Sequence, residues 1–128
     1  MTEEQLCFPA YFPEGCPPDD AKAEELCVYR YCMTESVIAN DFLSYYQIDS
    51  EKYKGNIIAY GLSVFCNKQE CIKGMKLPAI KRKGFKSFAS GITYINMGVI
   101  KQTFNNPSHI TWWLYEDVKP ETYFSICT

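Results

Sequence analysis

At 128 residues the chain suits one domain and leaves no room for two of ordinary size. Hydrophobic residues make up 47% and charged residues 22%, which excludes a disordered chain. The net charge of −2 hides an asymmetry: residues 1–51 hold eleven acidic and two basic residues, and residues 52–128 hold four acidic and eleven basic, so the halves carry about −9 and +7.

The opening MTEEQLCF is acidic and lacks an apolar core region, so no secretion signal is expected and the protein reads as cytoplasmic. No apolar run approaches the roughly 18–20 residues that span a bilayer, so no membrane association is expected. Residues 1–18 contain Phe8-Pro9, Phe12-Pro13 and Pro17-Pro18. They predict an extended surface arm pinned by Phe8, Tyr11 and Phe12, with residues 19–128 as one domain. Asp19-Asp20 ahead of AKAEEL predict a short helix with acids in its first turn.

Leu26 to Cys32 predicts a strand, with Val28, Arg30 and Cys32 on one face and Cys27, Tyr29 and Tyr31 on the other. Ile38, Phe42, Tyr45 and Tyr46 recur at helical spacing, with Ser36 as the expected cap. Ile57 to Phe65 predicts a buried strand or two short pieces. Asn67 with Glu70 predicts a capped helix, closed by Gly74 and Pro78. Strands are then expected at 86–89, 92–97, 99–104, 109–115 and 122–127, with turns at Asn105-Asn106-Pro107 and from Asp117 to Pro120. Helices early and strands late predict an α+β domain, mostly antiparallel, with two or three short helices in the N-terminal half.

Seven cysteines, an odd number, argue against a closed disulfide framework. Cys27/Cys32 and Cys66/Cys71 are each separated by four residues, at the edge of the spacing of structural zinc pairs. Cys27 and Cys32 also fall on opposite strand faces. Buried thiol packing is therefore preferred, with no metal expected. Cys66, ahead of the capped helix, is the best placed of the thiols for chemistry.

No phosphate-loop, dinucleotide, zincin or serine-elbow motif is present. His109, the single histidine, shares a strand face with Thr111 and Trp113. That set suits a ligand site, although strand aromatics more often pack. Arg30 lies mid-strand on a semi-apolar face and needs a partner, either an internal carboxylate such as Asp41 or Glu116 or an anion on a ligand. Lys76, Lys81, Arg82, Lys83 and Lys86 form a basic loop interleaved with Phe85 and Phe88. This suits nucleic-acid phosphates and bases, against the plainer reading of a solvated loop.

The blocks AYGLSVF (59–65) and SHITWW (108–113) resemble blocks in small bacterial proteins to which the resemblance attaches no activity. Such proteins often accompany conflict or defence systems. The order of Arg30, Ser63 ahead of the Asn67 helix, and Glu116 after the tryptophans is similar to ADP-ribosyltransferase-like folds. That resemblance implies NAD as cofactor, Arg30 on its pyrophosphate, Ser63 ordering the strand and Glu116 on the ribose, with His109 beside them.

Three functions are thus expected in order of preference. The first is an accessory module without a cofactor, binding a protein partner or a second copy through its dipolar, aromatic surface. The second is an NAD-using transferase or hydrolase on Arg30, Ser63, His109 and Glu116. The third is a nucleic-acid-binding regulator using Lys81, Arg82, Lys83 and Lys86.

Overall fold

The computed structural model describes residues 6–127, so the first five residues of the arm lie outside the described residues. Six strands form one sheet: β1 (Cys27–Cys32), β2 (Leu62–Phe65), β3 (Ser87–Ile92), β4 (Gly98–Gln102), β5 (His109–Leu114) and β6 (Ser125–Ile126). Their order is β4-β5-β2-β1-β3-β6, and every neighbouring pair is antiparallel. Four short helices precede β3: α1 (Tyr45–Ile48), α2 (Ser50–Tyr53), α3 (Lys68–Met75) and α4 (Pro78–Lys81). This is the expected α+β domain, and none of these helices is long and apolar enough to cross a membrane.

Residues directly opposite one another in a sheet share a face. Val28, Leu62, Val64, Ala89, Ile100, Ile110 and Trp112 lie on one face and make the core, closed by Phe42 and Phe124. Tyr31, Ser63, Phe65 and His109 lie on the other. The two central strands barely meet. β1 and β2 share one register pair, Tyr29 opposite Phe65, against six between β1 and β3. The sheet therefore splits beyond Tyr29, and the candidate site occupies that split.

The stripe from Ile38 to Tyr46 does not make one helix. Ala39–Phe42 form a 3-10 turn, Leu43 is extended, and α1 starts afresh after Ser44. In a continuous helix the carbonyls of Asp41 and Leu43 would accept from residues four further on. Here both accept from Arg30 instead. Ser44, rather than Ser36, is the cap: its Oγ accepts from Gln47 N and its own N–H donates to Gln47 Oε1.

Other boundaries moved for local reasons. The expected helix over 21–26 is absent, because Lys22 pairs with Ile100 through two backbone bonds and covers the edge of β4. The strand expected over 92–97 is a loop instead. Buried Thr93 accepts from Leu26 N and donates to Glu24 O, ending β3, and the chain turns between Tyr94 and Met97. Residues 57–65 resolve into two pieces, a 3-10 turn Ile57–Tyr60 and β2, joined at Gly61, where Thr111 and Trp113 leave no space for a Cβ. The arm is pinned by Phe8, Tyr11 and Phe12 against Tyr115, Tyr46 and Tyr60, and it turns twice, with Phe12 N–H on Pro9 O and Cys16 N–H on Pro13 O.

Asn67 caps α3 as expected, its Oδ1 accepting from Glu70 N. Gly74 does not end that helix, and Pro78 opens α4. Gly74 is instead a point of close approach: the Tyr31 hydroxyl occupies the space a Cβ would need, and donates to Cys71 O at 2.7 Å. Gly74→Ala is expected to destabilise the protein by about 1–3 kcal/mol in urea unfolding. In a Tyr31→Phe background, which removes the colliding oxygen, the same substitution should cost distinctly less. Equal costs in the two backgrounds would contradict this packing.

Candidate functional site

The split between β1 and β2 leads into a cavity of about 650 Å³. Its floor comes from Arg30, Ser63, Phe65 and His109. Its walls come from Tyr45 and Tyr53 of α1 and α2 on one side, and from Ile80, Lys83 and Phe85 around α4 on the other.

Arg30 makes the largest number of side-chain hydrogen bonds on the floor. Its Nε donates to Asp41 O at 2.6 Å, one terminal nitrogen to Ser63 O at 2.7 Å, and the other to Leu43 O at 3.2 Å. The fixed fork of a guanidinium suits three acceptors on different segments. Burial pulls the Arg30 pKa down to about 10, partly offset by Tyr45, Cys32 and Asp41, so the group stays cationic at neutral pH. The Phe42 ring lies 5.9 Å from its centre. Of five guanidinium N–H groups, these bonds use three.

The partner expected for Arg30 is thus half right. Asp41 serves through its carbonyl, while its carboxylate accepts from Met33 N and Ile38 N and closes the intervening loop. Glu116 is not a partner. It is exposed, its N–H donates to Cys7 O, and it lines a second cavity of about 350 Å³ beneath the arm. Of the four residues grouped by the ADP-ribosyltransferase resemblance, Arg30, Ser63 and His109 converge and Glu116 does not.

His109 lies half-buried against Phe65 and Phe104, at 5.9 and 4.8 Å between ring centres. Its Nδ1 bonds Thr103 Oγ1 at 2.7 Å, and that oxygen bonds Thr111 Oγ1 at 2.8 Å. With Thr111 donating to Thr103 and Thr103 to Nδ1 every hydroxyl proton has an acceptor, whereas the reverse direction strands the proton of buried Thr111, which favours a neutral imidazole protonated at Nε2. Nε2 has no protein partner among the described residues and opens to the cavity, as does the Ser63 hydroxyl. Burial lowers the His109 pKa from 6.5, which favours the neutral ring.

The remaining expected residues divide. Thr111 is buried and reaches the site only through Thr103. Trp113 is fully buried, its Nε1 donating to Ile57 O at 3.0 Å, so it packs rather than faces a ligand. Lys81, Arg82 and Lys86 are exposed outside the cavity, whereas Lys83 borders it, its Nζ 5.4 Å from the Tyr45 ring centre. Phe85 and Phe88 pack inward on Tyr31 and Tyr29. Burial pushes the Cys32 and Cys71 thiols up to about 11 and about 12, as suits packing groups. Cys66 Sγ lies 3.4 Å from Pro107 O, away from the cavity. No group of three or more metal-ligating side chains occurs among the described residues.

Sequence reasoning missed Phe104, Tyr45, Tyr53 and Lys52, which all line the cavity. A Phe immediately before Asn105-Asn106-Pro107 was the one readable signal, since it sets an aromatic ring at a turn. Comparisons with protein-family profiles, curated proteins and solved structures return no match to this chain.

The lowered His109 pKa sets a sign for stability. The folded state binds fewer protons at this site than the unfolded chain, whose value is near 6.5. Its contribution is therefore full above pH 6.5 and is lost as pH falls through the folded pKa. Unfolding free energies of wild type and His109→Gln, measured in urea from pH 8 to 5, should show wild type losing stability relative to the variant on acidification. A relative gain would contradict the assignment.

Proposed function

We propose that this protein binds a small organic anion in the cavity at the β1/β2 split. The observation that carries this reading is the convergence of three polar groups with unused hydrogen-bonding capacity in a cavity that also presents Tyr31, Tyr45, Tyr53, Phe65 and Phe85. The three groups are the cationic Arg30 with two N–H groups left over, the open Nε2 of His109 and the unengaged Ser63 hydroxyl. Concave apolar sites with a few convergent polar groups are the usual form of small-molecule sites. Lys52 and Lys83 add positive charge at the rim, while the carboxylates of Asp41 and Asp49 are already engaged by backbone N–H groups. The ligand's charged group is thus drawn to Arg30 and its body to Tyr31, Phe65 and Phe85.

NAD belongs among the candidate anions, because Arg30, Ser63 and His109 line this cavity. A transferase reaction would have to proceed with Glu116 outside it. A second reading, as a protein-binding accessory module, draws on exposed Tyr94, Ile95 and Tyr123 beside the short edge strand β6.

Thermal denaturation against a panel of carboxylates, nucleoside monophosphates and NAD tests the proposal. A ligand at about a hundred times its Kd adds roughly 2.7 kcal/mol of stability, an easily read shift. His109→Gln and Ser63→Ala should each weaken a positive ligand about two- to thirteenfold, the effect of losing one neutral hydrogen bond to it. A panel without any stabilising anion, or a ligand indifferent to both substitutions, would overturn the reading. Nicotinamide release on incubation with NAD separates turnover from binding.

A further inference from the structure

We propose that Phe104 is a stacking platform at the cavity mouth, which narrows the ligand class to aromatic anions. This rests on the anion-binding reading above.

Phe104 has φ +59°, followed by Asn105 at +54°. Asparagine tolerates the left-handed region, but a bulky side chain there is disfavoured. Phe104 is also 65% exposed as a residue, the most exposed aromatic on the cavity. An exposed ring contributes little to folding, since burial is what stabilises it. Both features work against Phe at this position as far as stability is concerned.

The turn itself does not depend on the ring. Asn106 N–H donates to Thr103 O, Thr103 N–H to His109 O and His109 N–H to Asn106 O, and Asn106 Oδ1 accepts from Ser108 N and Ser108 Oγ. Backbone and asparagine bonds thus hold the loop. Gly or Asn would serve better at 104 if shape were the whole requirement.

What the ring does have is a place. It packs at 64° against His109, whose Nδ1 is anchored to Thr103, the residue next to Phe104. Its remaining surface is left for a ligand. Across the cavity lining, Lys83 lies over Tyr45 at 5.4 Å and Lys52 over Tyr53 at 5.2 Å. A flat ring carrying a carboxylate or phosphate meets an aromatic surface, an imidazole and cations in one site. Strain retained beside a binding site is the expected signature of such a role.

Benzoate and cyclohexanecarboxylate share a carbon skeleton and differ in aromaticity, so they isolate stacking. NMR titration of the wild type should give at least fivefold tighter binding of benzoate, the lower end of measured ring-stacking effects. Phe104→Gly should abolish that preference while raising the melting temperature by a few degrees, and Phe104→Tyr should keep the preference. Loss of stability in Phe104→Gly would make Phe104 structural and overturn the proposal. So would a preference that survives the substitution. If the wild type binds both acids equally, the stacking role fails and the anion site stands. If no anion binds at all, both fail.

Discussion

Three backbone carbonyls on one half-buried guanidinium organise this protein. Arg30 departs from the centre of the sheet and joins β2, through Ser63, to the segment between Asp41 and Leu43. Burying a charge costs several kcal/mol, and hydrogen bonds to a charged group return about 1.5–3 kcal/mol each. One bond would not offset that penalty, whereas three are of its size. The fork also substitutes for pairing that the sheet lacks. β1 and β2 meet at a single pair, and the Ser63 carbonyl is satisfied by a side chain instead of a strand.

The consequences run outward from that point. Because the carbonyls of Asp41 and Leu43 turn toward Arg30, the chain cannot continue as a helix there, and it restarts at Ser44 with its own cap. That restart places α1 and α2, with Tyr45 and Tyr53, above the split rather than along it. The core stays on the other face, around Trp112, Val64 and Phe42. Trp113 and Thr111 are fully buried on the opposite face, and the cavity opens at the split, where Arg30 from the core face reaches Ser63 O. The charge asymmetry takes a physical form in the same place: Lys83 from the basic half borders the cavity opposite segments of the acidic half. Direct ion pairing between the halves is slight, with Asp20–Lys101 at 2.8 Å bridging them among the described residues.

What could be read from the sequence was local. Alternation found β1 and β5 to within a residue, and Asn67 announced α3 through a bond spanning three positions. The helix over Ile38–Tyr46 failed because its breaker, Arg30, lies outside the periodic window that predicted it. Gly74 looked like a helix stop because its reason, the hydroxyl of Tyr31, comes from β1, far back along the chain. At the site, residue chemistry singled out Arg30 and His109, since a strand arginine and a lone histidine are conspicuous, while Ser63 came only with the residue order of the ADP-ribosyltransferase resemblance. Glu116 belonged to an order of residues rather than to a geometry, and the fold carries it to another cavity. Phe104 and the tyrosine walls look like ordinary packing in a chain with 16% aromatics, and exposure sets apart Phe104 and Tyr45 but not Tyr53.

Arg30 and Arg82 are the chain's two arginines, and Arg82 is exposed. Solvent exchange of their Nε–H protons, followed by arginine-selective NMR, therefore tests the central bond directly. The Arg30 Nε–H, held by Asp41 O, should give a signal that survives to mildly alkaline pH while that of Arg82 exchanges away. Two signals lost together at solvent rates would mean that no carbonyl cradle holds the guanidinium, and the account of the split sheet and its cavity would be wrong.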